Sequence, residues 1–138
     1  METMENLRNQ EELIDIFYNL ASIPSPSLHE EKVVAWIKDF CEKEGLHFET
    51  DSYSNVIIKL PATDPTKPLM ALSSHMDVVG DDTPVIPMLD GDFIKANNRT
   101  LGGDDKFGIA AALKLLKDTK KSDLKHGGLE VVFTRDEE

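Results

Sequence analysis

The stretch Leu129-Glu130-Val131-Val132-Phe133-Thr134-Arg135-Asp136-Glu137-Glu138 decides how this chain is read. Its opening residues are apolar and β-branched, and they follow the turn signal Gly127-Gly128, which predicts a buried strand. That strand hands over two adjacent acids at its carboxyl end. Two upstream segments do the same. Leu69-Met70-Ala71-Leu72-Ser73-Ser74 runs straight into His75-Met76-Asp77, and the turn Gly102-Gly103 runs into Asp104-Asp105-Lys106. Acids and a histidine delivered from the carboxyl ends of strands are how sheet proteins assemble metal-ligand sets.

Working outward, Val56-Ile57-Ile58-Lys59-Leu60 predicts a further strand, and the near-continuous apolar run 69–74 predicts one covered on both faces. Asp90-Gly91 between two extended runs is a hairpin signal. Leu13, Ile16, Phe17 and Leu20 recur at helical spacing, giving one amphipathic helix over roughly residues 5–21. The segment Ile23-Pro24-Ser25-Pro26-Ser27 breaks it, because each proline restricts the residue before it. Ser27 with Glu30 forms a capping-box pattern for a second helix, whose inner face carries Val33, Trp36, Ile37, Phe40 and Cys41 and which Gly45 ends. A third helix runs from about Asp105 through Leu116, with Ile109, Leu113 and Leu116 on one side and Ala110, Ala111 and Ala112 permitting close approach. Helices alternating with buried strands give the fold class α/β, a partial mixed sheet flanked by helices. The 138 residues show no internal repeat and no internal domain boundary.

Composition narrows the function classes. With 40% hydrophobic and 30% charged residues the chain is globular. A formal net charge of −11 leaves nothing to neutralise phosphates, which argues against nucleic acid. No stretch approaches the roughly 20 apolar residues of a membrane span. Met1-Glu2-Thr3-Met4-Glu5-Asn6 lacks the apolar run of a signal peptide. The lone cysteine, Cys41, sits among helix-face apolar residues and reads as a small buried hydrophobe in a reducing compartment. The expected location is the cytoplasm.

Each candidate motif has a plain reading beside the chemical one. His75-Met76-Asp77 alone is a common pairing. On an extended segment, however, the two side chains point the same way, so Asp77 can hold His75 as a ligand from behind. Asp104 and Asp105 before a helix read equally as caps, whereas Gly102-Gly103 permit the close approach that lets a carboxylate bridge two cations. Glu137-Glu138 is by default a solvated acidic pair. After a buried strand, two adjacent acids project to different sides, so one can ligate a metal while the other meets a bound water. Gathering Asp77, Asp104, Glu137 and Glu138 without cations would be costly, since like charge and desolvation both oppose ionisation. His29, His47 and His126 read as surface residues, and Asp81-Asp82 as part of a solvated loop. No P-loop, dinucleotide fingerprint or GxSxG elbow is present.

Taken together, Ser74-His75-Met76-Asp77, Leu101-Gly102-Gly103-Asp104-Asp105-Lys106-Phe107-Gly108 and Phe133-Thr134-Arg135-Asp136-Glu137-Glu138 resemble the three successive motifs of the dizinc aminopeptidase and aminoacylase superfamily. The wording of the last two is most similar to its peptidase T (tripeptide aminopeptidase) branch, and Ile23-Pro24-Ser25-Pro26-Ser27 matches that family's early loop. The resemblance implies that His75 ligates one zinc and Asp77 orients it. It implies that Asp104 bridges both metals, in register with Lys106, and that the peptide bond to Asp105 is cis. Glu137 would be the general base and Glu138 a ligand to the second zinc. The implied cofactors are two Zn2+ ions, or Co2+ or Mn2+, and the implied partners are short peptides.

Family members continue past the paired glutamates with another acidic ligand, a distant histidine ligand, more of the catalytic domain, and a lid or dimerisation domain that makes a homodimer. The expectation is therefore that residues 1–138 are the N-terminal part of a metallopeptidase catalytic domain, inactive alone, with its last strand exposing an edge. Three alternatives stay open: a related aminoacylase or dipeptidase; a short non-enzymatic module binding a metal or partner through the same acids; and, with a poorer motif order, a phosphoacceptor domain holding Mg2+.

Overall fold

In the strand Leu129–Thr134, side chains alternate between buried Leu129, Val131 and Phe133 and half-buried Glu130, Val132 and Thr134. A strand carrying apolar side chains on both faces belongs in the interior of a sheet, and that is where the computed structural model, which describes residues 1–138, places it. The chain runs through α1 (Met4–Gln10), α2 (Glu12–Ala21), α3 (Glu31–Glu44), β1 (Phe48–Thr50), β2 (Val56–Leu60), β3 (Met70–His75), β4 (Met88–Asp90), β5 (Phe93–Lys95), α4 (Gly103–Lys121) and β6 (Leu129–Thr134). The main sheet has the order β1-β2-β6-β3. β6 is antiparallel to β2 and parallel to β3, so the sheet is mixed as expected.

Register fixes the inner face. Val56 lies opposite Phe133, Ile58 opposite Val131 and Leu60 opposite Leu129. These side chains join Ile16 and Leu20 of α2, Val33, Ile37 and Cys41 of α3, and Ile109, Leu113 and Leu116 of α4 in one core. Each such fully buried aliphatic side chain contributes about 1.5–3 kcal/mol. Phe17 meets Phe107 edge-to-face at 5.4 Å where α2 packs on α4. Cys41 has no solvent exposure, and burial, helped by the neighbouring Glu42 charge, pushes its thiol up to about 12.

Several expectations need correction. β6 is not an edge strand: it has partners on both sides, whereas the edges are β1, paired with β2 alone, and β3, paired with β6 alone. Nor is the run 69–74 covered on both faces: Leu69 and Met70 are 61% and 58% exposed. The first helix is two helices, parted at Glu11, whose backbone is extended (φ −126°, ψ 105°). The apolar stripe belongs to α2, and α1 buries nothing. The shorter helix is capped by Thr3 and docks through Arg8, which pairs with Asp15 at 2.8 Å and lies over the Tyr18 ring. The capping box does not form, because Ser27 and Glu30 direct their side chains to other partners and α3 starts at Glu31. Ala111 is exposed although Ala110 and Ala112 are buried, and α4 extends to Lys121. β1 was not anticipated, its three residues being too short and too polar to show a pattern. Gly45 ends α3 in the left-handed region (φ +66°), in line with the sequence, and the expected hairpin forms with its two-residue turn at Gly91-Asp92, one residue beyond Asp90-Gly91, since Asp90 belongs to β4.

Candidate metal centre

Neighbouring strands bring the first and third motifs together. His75 at the end of β3 lies opposite Thr134 at the end of β6, so the residues that follow each strand emerge side by side. The second motif arrives from α4. Gly102 adopts φ +78°, and a Cβ there would stand 3.1 Å from a Val78 methyl group, so glycine lets the turn press onto the segment after β3. Asp104 and Asp105 depart from helical angles, and the bond between them is cis, as the resemblance implied. The two aspartates then part ways. Asp104 turns to His75, its Oδ1 2.9 Å from Nε2, whereas Asp105 accepts the Ser74 hydroxyl.

His75 Nδ1 lies 2.7 Å from the backbone oxygen of Asp77. A carbonyl can only accept, so Nδ1 carries the hydrogen and Nε2 faces the acids. Around Nε2 stand Asp104 Oδ1 at 2.9 Å, Glu137 Oε2 at 3.5 Å and Glu138 Oε1 at 3.9 Å. Burial works to lower the His75 pKa. The Asp104 carboxylate, the Asp77 carbonyl and the charges of Glu137 and Asp77 outweigh it, so the net direction is upward. This locus favours positive charge.

One ligand atom each from His75, Asp104 and Glu138 lie within 4.8 Å of one another. Ligand atoms on a tetrahedral ion with bonds near 2.1 Å stand roughly 3.4 Å apart, so one imidazole nitrogen and two carboxylate oxygens at these separations fit a zinc-type ion. The Glu137 side chain is 56% exposed and that of Glu138 24%. Both reach toward His75 rather than to opposite sides. They lie beyond β6, after Asp136 in the left-handed region (φ +56°), so strand alternation does not govern them.

Asp77 has no exposure and reaches His75 more closely through its backbone than through Oδ1, which is 3.5 Å from Nδ1. Its carboxylate is engaged elsewhere. It accepts the backbone N–H groups of Glu137 and Glu138, each at 2.9 Å, and the Ser27 hydroxyl at 2.7 Å. Burial raises its pKa, but the Glu137 N–H, the Ser27 hydroxyl and the Glu138 N–H prevail and hold it below the usual carboxylate value.

Sequence reasoning missed the supporting residues. Ser25 donates to Met76 O at 2.8 Å and accepts, through its backbone oxygen, the N–H of Val78 at 2.9 Å, binding the proline-containing loop to the segment after β3. Buried Lys106 donates to the Ile23 carbonyl and makes no salt bridge; burial, then the Arg99 charge, push its amine down to about 7. Glu30, fully buried, accepts Arg135 Nε at 3.2 Å and Asp136 N–H at 2.8 Å. In the sequence Glu30 is indistinguishable from a capping acid, and no local signal separates the two. His29 and His47 are exposed, and His126 lies against the Gly127 carbonyl, so none joins the centre. Asp81 pairs with Arg99 at 3.4 Å in an exposed loop. No helix is long and apolar enough to cross a membrane.

Comparison with known proteins agrees with this arrangement. Residues 71–138 match the model of peptidase family M20/M25/M40. The chain is 39% identical over 139 residues to the cytosol non-specific dipeptidase of Escherichia coli (strain K12), an alignment covering 91% of this chain and 28% of that protein. It thus spans less than a third of that relative's length. The expected likeness to peptidase T is present: the enzyme of Pectobacterium carotovorum subsp. carotovorum (strain PC1) is 44% identical over 68 residues, 44% of this chain and 17% of that one. The crystal structure of a tripeptidase from Staphylococcus aureus superposes with a TM-score of 0.83 at 29% identity, over 91% of this chain and 36% of its own. Three motifs in order, brought to one place by a matching fold, make the chain similar to peptidase family M20/M25/M40 over residues 71–138.

Proposed function

We propose that the protein containing these residues is a metal-dependent aminopeptidase that releases the N-terminal residue of tripeptides and other short peptides. We further propose that residues 1–138 are the N-terminal part of its catalytic domain. The observation that carries this reading is the convergence of His75, Asp104 and Glu138 on one point, with Glu137 beside it. The imidazole and the two carboxylates would hold a zinc ion, and Asp104, 87% exposed on its side chain, has a free oxygen with which to bridge to a second. Co2+ or Mn2+ suits the same donors. A cation held there polarises a peptide carbonyl and makes water more acidic.

The remaining work falls to this chain's own side chains. Asp77 fixes the backbone from which Glu137 and Glu138 project, and its carbonyl keeps the hydrogen of His75 on Nδ1. Glu137, the more exposed of the pair, suits the role of general base: a carboxylate oxygen accepts a proton from the attacking water and delivers it to the departing amine nitrogen. The chain's likeness to relatives of which it covers only 28% and 36% supports a protein with further ligands and a lid or dimerisation domain elsewhere in its sequence. We accordingly expect no turnover from residues 1–138 alone, and a cytoplasmic location for the whole.

A second reading, cleavage of dipeptides, is favoured by the 39% identity to the dipeptidase across 91% of this chain. One assay separates the two. The full-length protein, supplied with Zn2+, is offered di- and tripeptides and the released amino acids are measured. Tripeptide cleavage lost with chelator and in Glu137→Gln is expected. Exclusive dipeptide cleavage would favour the second reading, and cleavage of neither would overturn the peptidase proposal.

A further inference from the structure

The backbone N–H groups of three consecutive residues are each accepted by a carboxylate with no solvent exposure. Asp136 donates to Glu30 Oε2 at 2.8 Å, and Glu137 and Glu138 donate to the two oxygens of Asp77 at 2.9 Å. The turn that these carboxylates grip holds Asp136 at φ +56°, a left-handed conformation that a side chain other than glycine seldom adopts unless it is held there. Glu30 also accepts Arg135 Nε at 3.2 Å, and Arg135 donates onward to Tyr53 O at 3.0 Å and Leu28 O at 3.3 Å. Tyr53 in turn donates its hydroxyl to Asp136 Oδ2 at 3.0 Å. The turn is therefore bound along its backbone and through residues 135 and 136, while the side chains of Glu137 and Glu138 remain to project toward His75.

Glu30 stands at the N-cap of α3 but makes no capping bond with its side chain. Both of its oxygens serve the turn instead. A buried carboxylate is costly unless its partners are good ones, and its partners here belong to the segment that carries the two glutamates.

We propose that Glu30 is a positioning residue for the metal centre, setting the backbone of residues 135–138 so that Glu137 and Glu138 aim at His75 Nε2. The proposal rests on the reading of His75, Asp104 and Glu138 as ligands. Its rival is a purely structural role, in which the Glu30–Arg135 pair steadies the fold and leaves the ligand geometry alone.

The test measures Zn2+ affinity of the full-length protein by competition with a chromogenic chelator, in the wild type, Glu30→Gln, Glu30→Asp and His75→Ala. Urea unfolding establishes that each variant is folded, and amide hydrogen exchange follows residues 129–138. Glu30→Gln keeps the size of the side chain but sets an N–H2 group against either Arg135 Nε or the Asp136 N–H. Expected are a loss of Zn2+ affinity of about tenfold or more, the scale for groups behind metal ligands, and faster exchange at 136–138 with β6 still protected. A folded Glu30→Gln with wild-type affinity and exchange would overturn the proposal. Should that variant not fold, Glu30→Asp keeps the charge and both acceptors on a shorter stem; weaker Zn2+ binding is again expected, and wild-type affinity would overturn. His75→Ala separates the two readings. If it leaves Zn2+ binding intact, the metal centre itself is wrong and the role of Glu30 falls with it; if it removes binding while the Glu30 variants do not, only the role of Glu30 fails.

Discussion

Asp77 accepts the backbone N–H of Glu138 at 2.9 Å from a site with no solvent exposure. This bond joins the segment after the edge strand β3 to the turn after β6, and so holds two of the three motifs in register. An ionised aspartate offers only acceptors, whereas asparagine must present an N–H2 group to one of the three donors now satisfied. Asp77→Asn is expected to cost about 1–3 kcal/mol in urea unfolding, the range for leaving a buried polar group unpaired. An unchanged midpoint would show that the carboxylate contributes nothing to holding this turn.

Ser27 tests the same network from the other side. Were it a helix cap, its removal would be independent of Asp77. Because its hydroxyl donates to the Asp77 carboxylate at 2.7 Å, Ser27→Ala and Asp77→Asn should not be additive. A double-mutant cycle is expected to give a coupling of about 0.5–3 kcal/mol. Zero coupling would return Ser27 to the capping role that its sequence context suggests.

Gly127 precedes β6 where the chain leading into β3 crosses it. A Cβ there would collide with the Pro68 carbonyl oxygen, which is backbone and cannot swing aside. Gly127→Ala should therefore destabilise by about 1–3 kcal/mol, the usual range for overpacking. Gly103→Ala, with open space around its Cβ position and, like Gly127, no positive φ, serves as a control for the substitution without a clash. Equal losses in the two variants would rule out the Pro68 contact as the cause.

Cys41 supplies a pH test far from the centre. Its thiol is pushed up from 9.0 to about 12 in the folded protein, chiefly by burial. Above pH 9 the unfolded chain gives up this proton and the folded one keeps it. Stability should then fall with rising pH by about 1.4 kcal/mol per unit more in the wild type than in Cys41→Ala, until the folded thiol itself ionises. Parallel stability curves for the two proteins would contradict this burial.

The elements that carry an apolar period were legible from sequence. β2, β6, α3 and α4 show it in their own residues, and the order of the motifs pointed to where they meet. Sheet order was not legible, because nothing local to 69–74 or 129–134 says which run has neighbours on both sides. The break at Glu11 was hidden for a related reason: a helical stripe over 13–20 does not report where polar residues upstream leave the helix. At the centre, strand and turn signals brought out His75, Asp77, Asp104, Asp105, Glu137 and Glu138 as candidates, and the family resemblance implied His75, Asp104 and Glu138 as the ligands among them. Ser27 and Glu30 could not, since a hydroxyl and a carboxylate three residues apart satisfy a capping pattern as well as they satisfy partners 50 and 106 residues away.

The central claim is that His75, Asp104 and Glu138 together hold a divalent cation. Titration of the protein with Co2+, followed by visible absorption, tests it most directly, because the d–d bands report both binding and ligand geometry. Saturable binding that Zn2+ displaces, and that His75→Ala and Glu138→Gln each weaken or abolish, is the expected result. Binding unchanged in both variants, or no absorption in the wild type at saturating Co2+, would contradict the assignment of these residues as a metal centre.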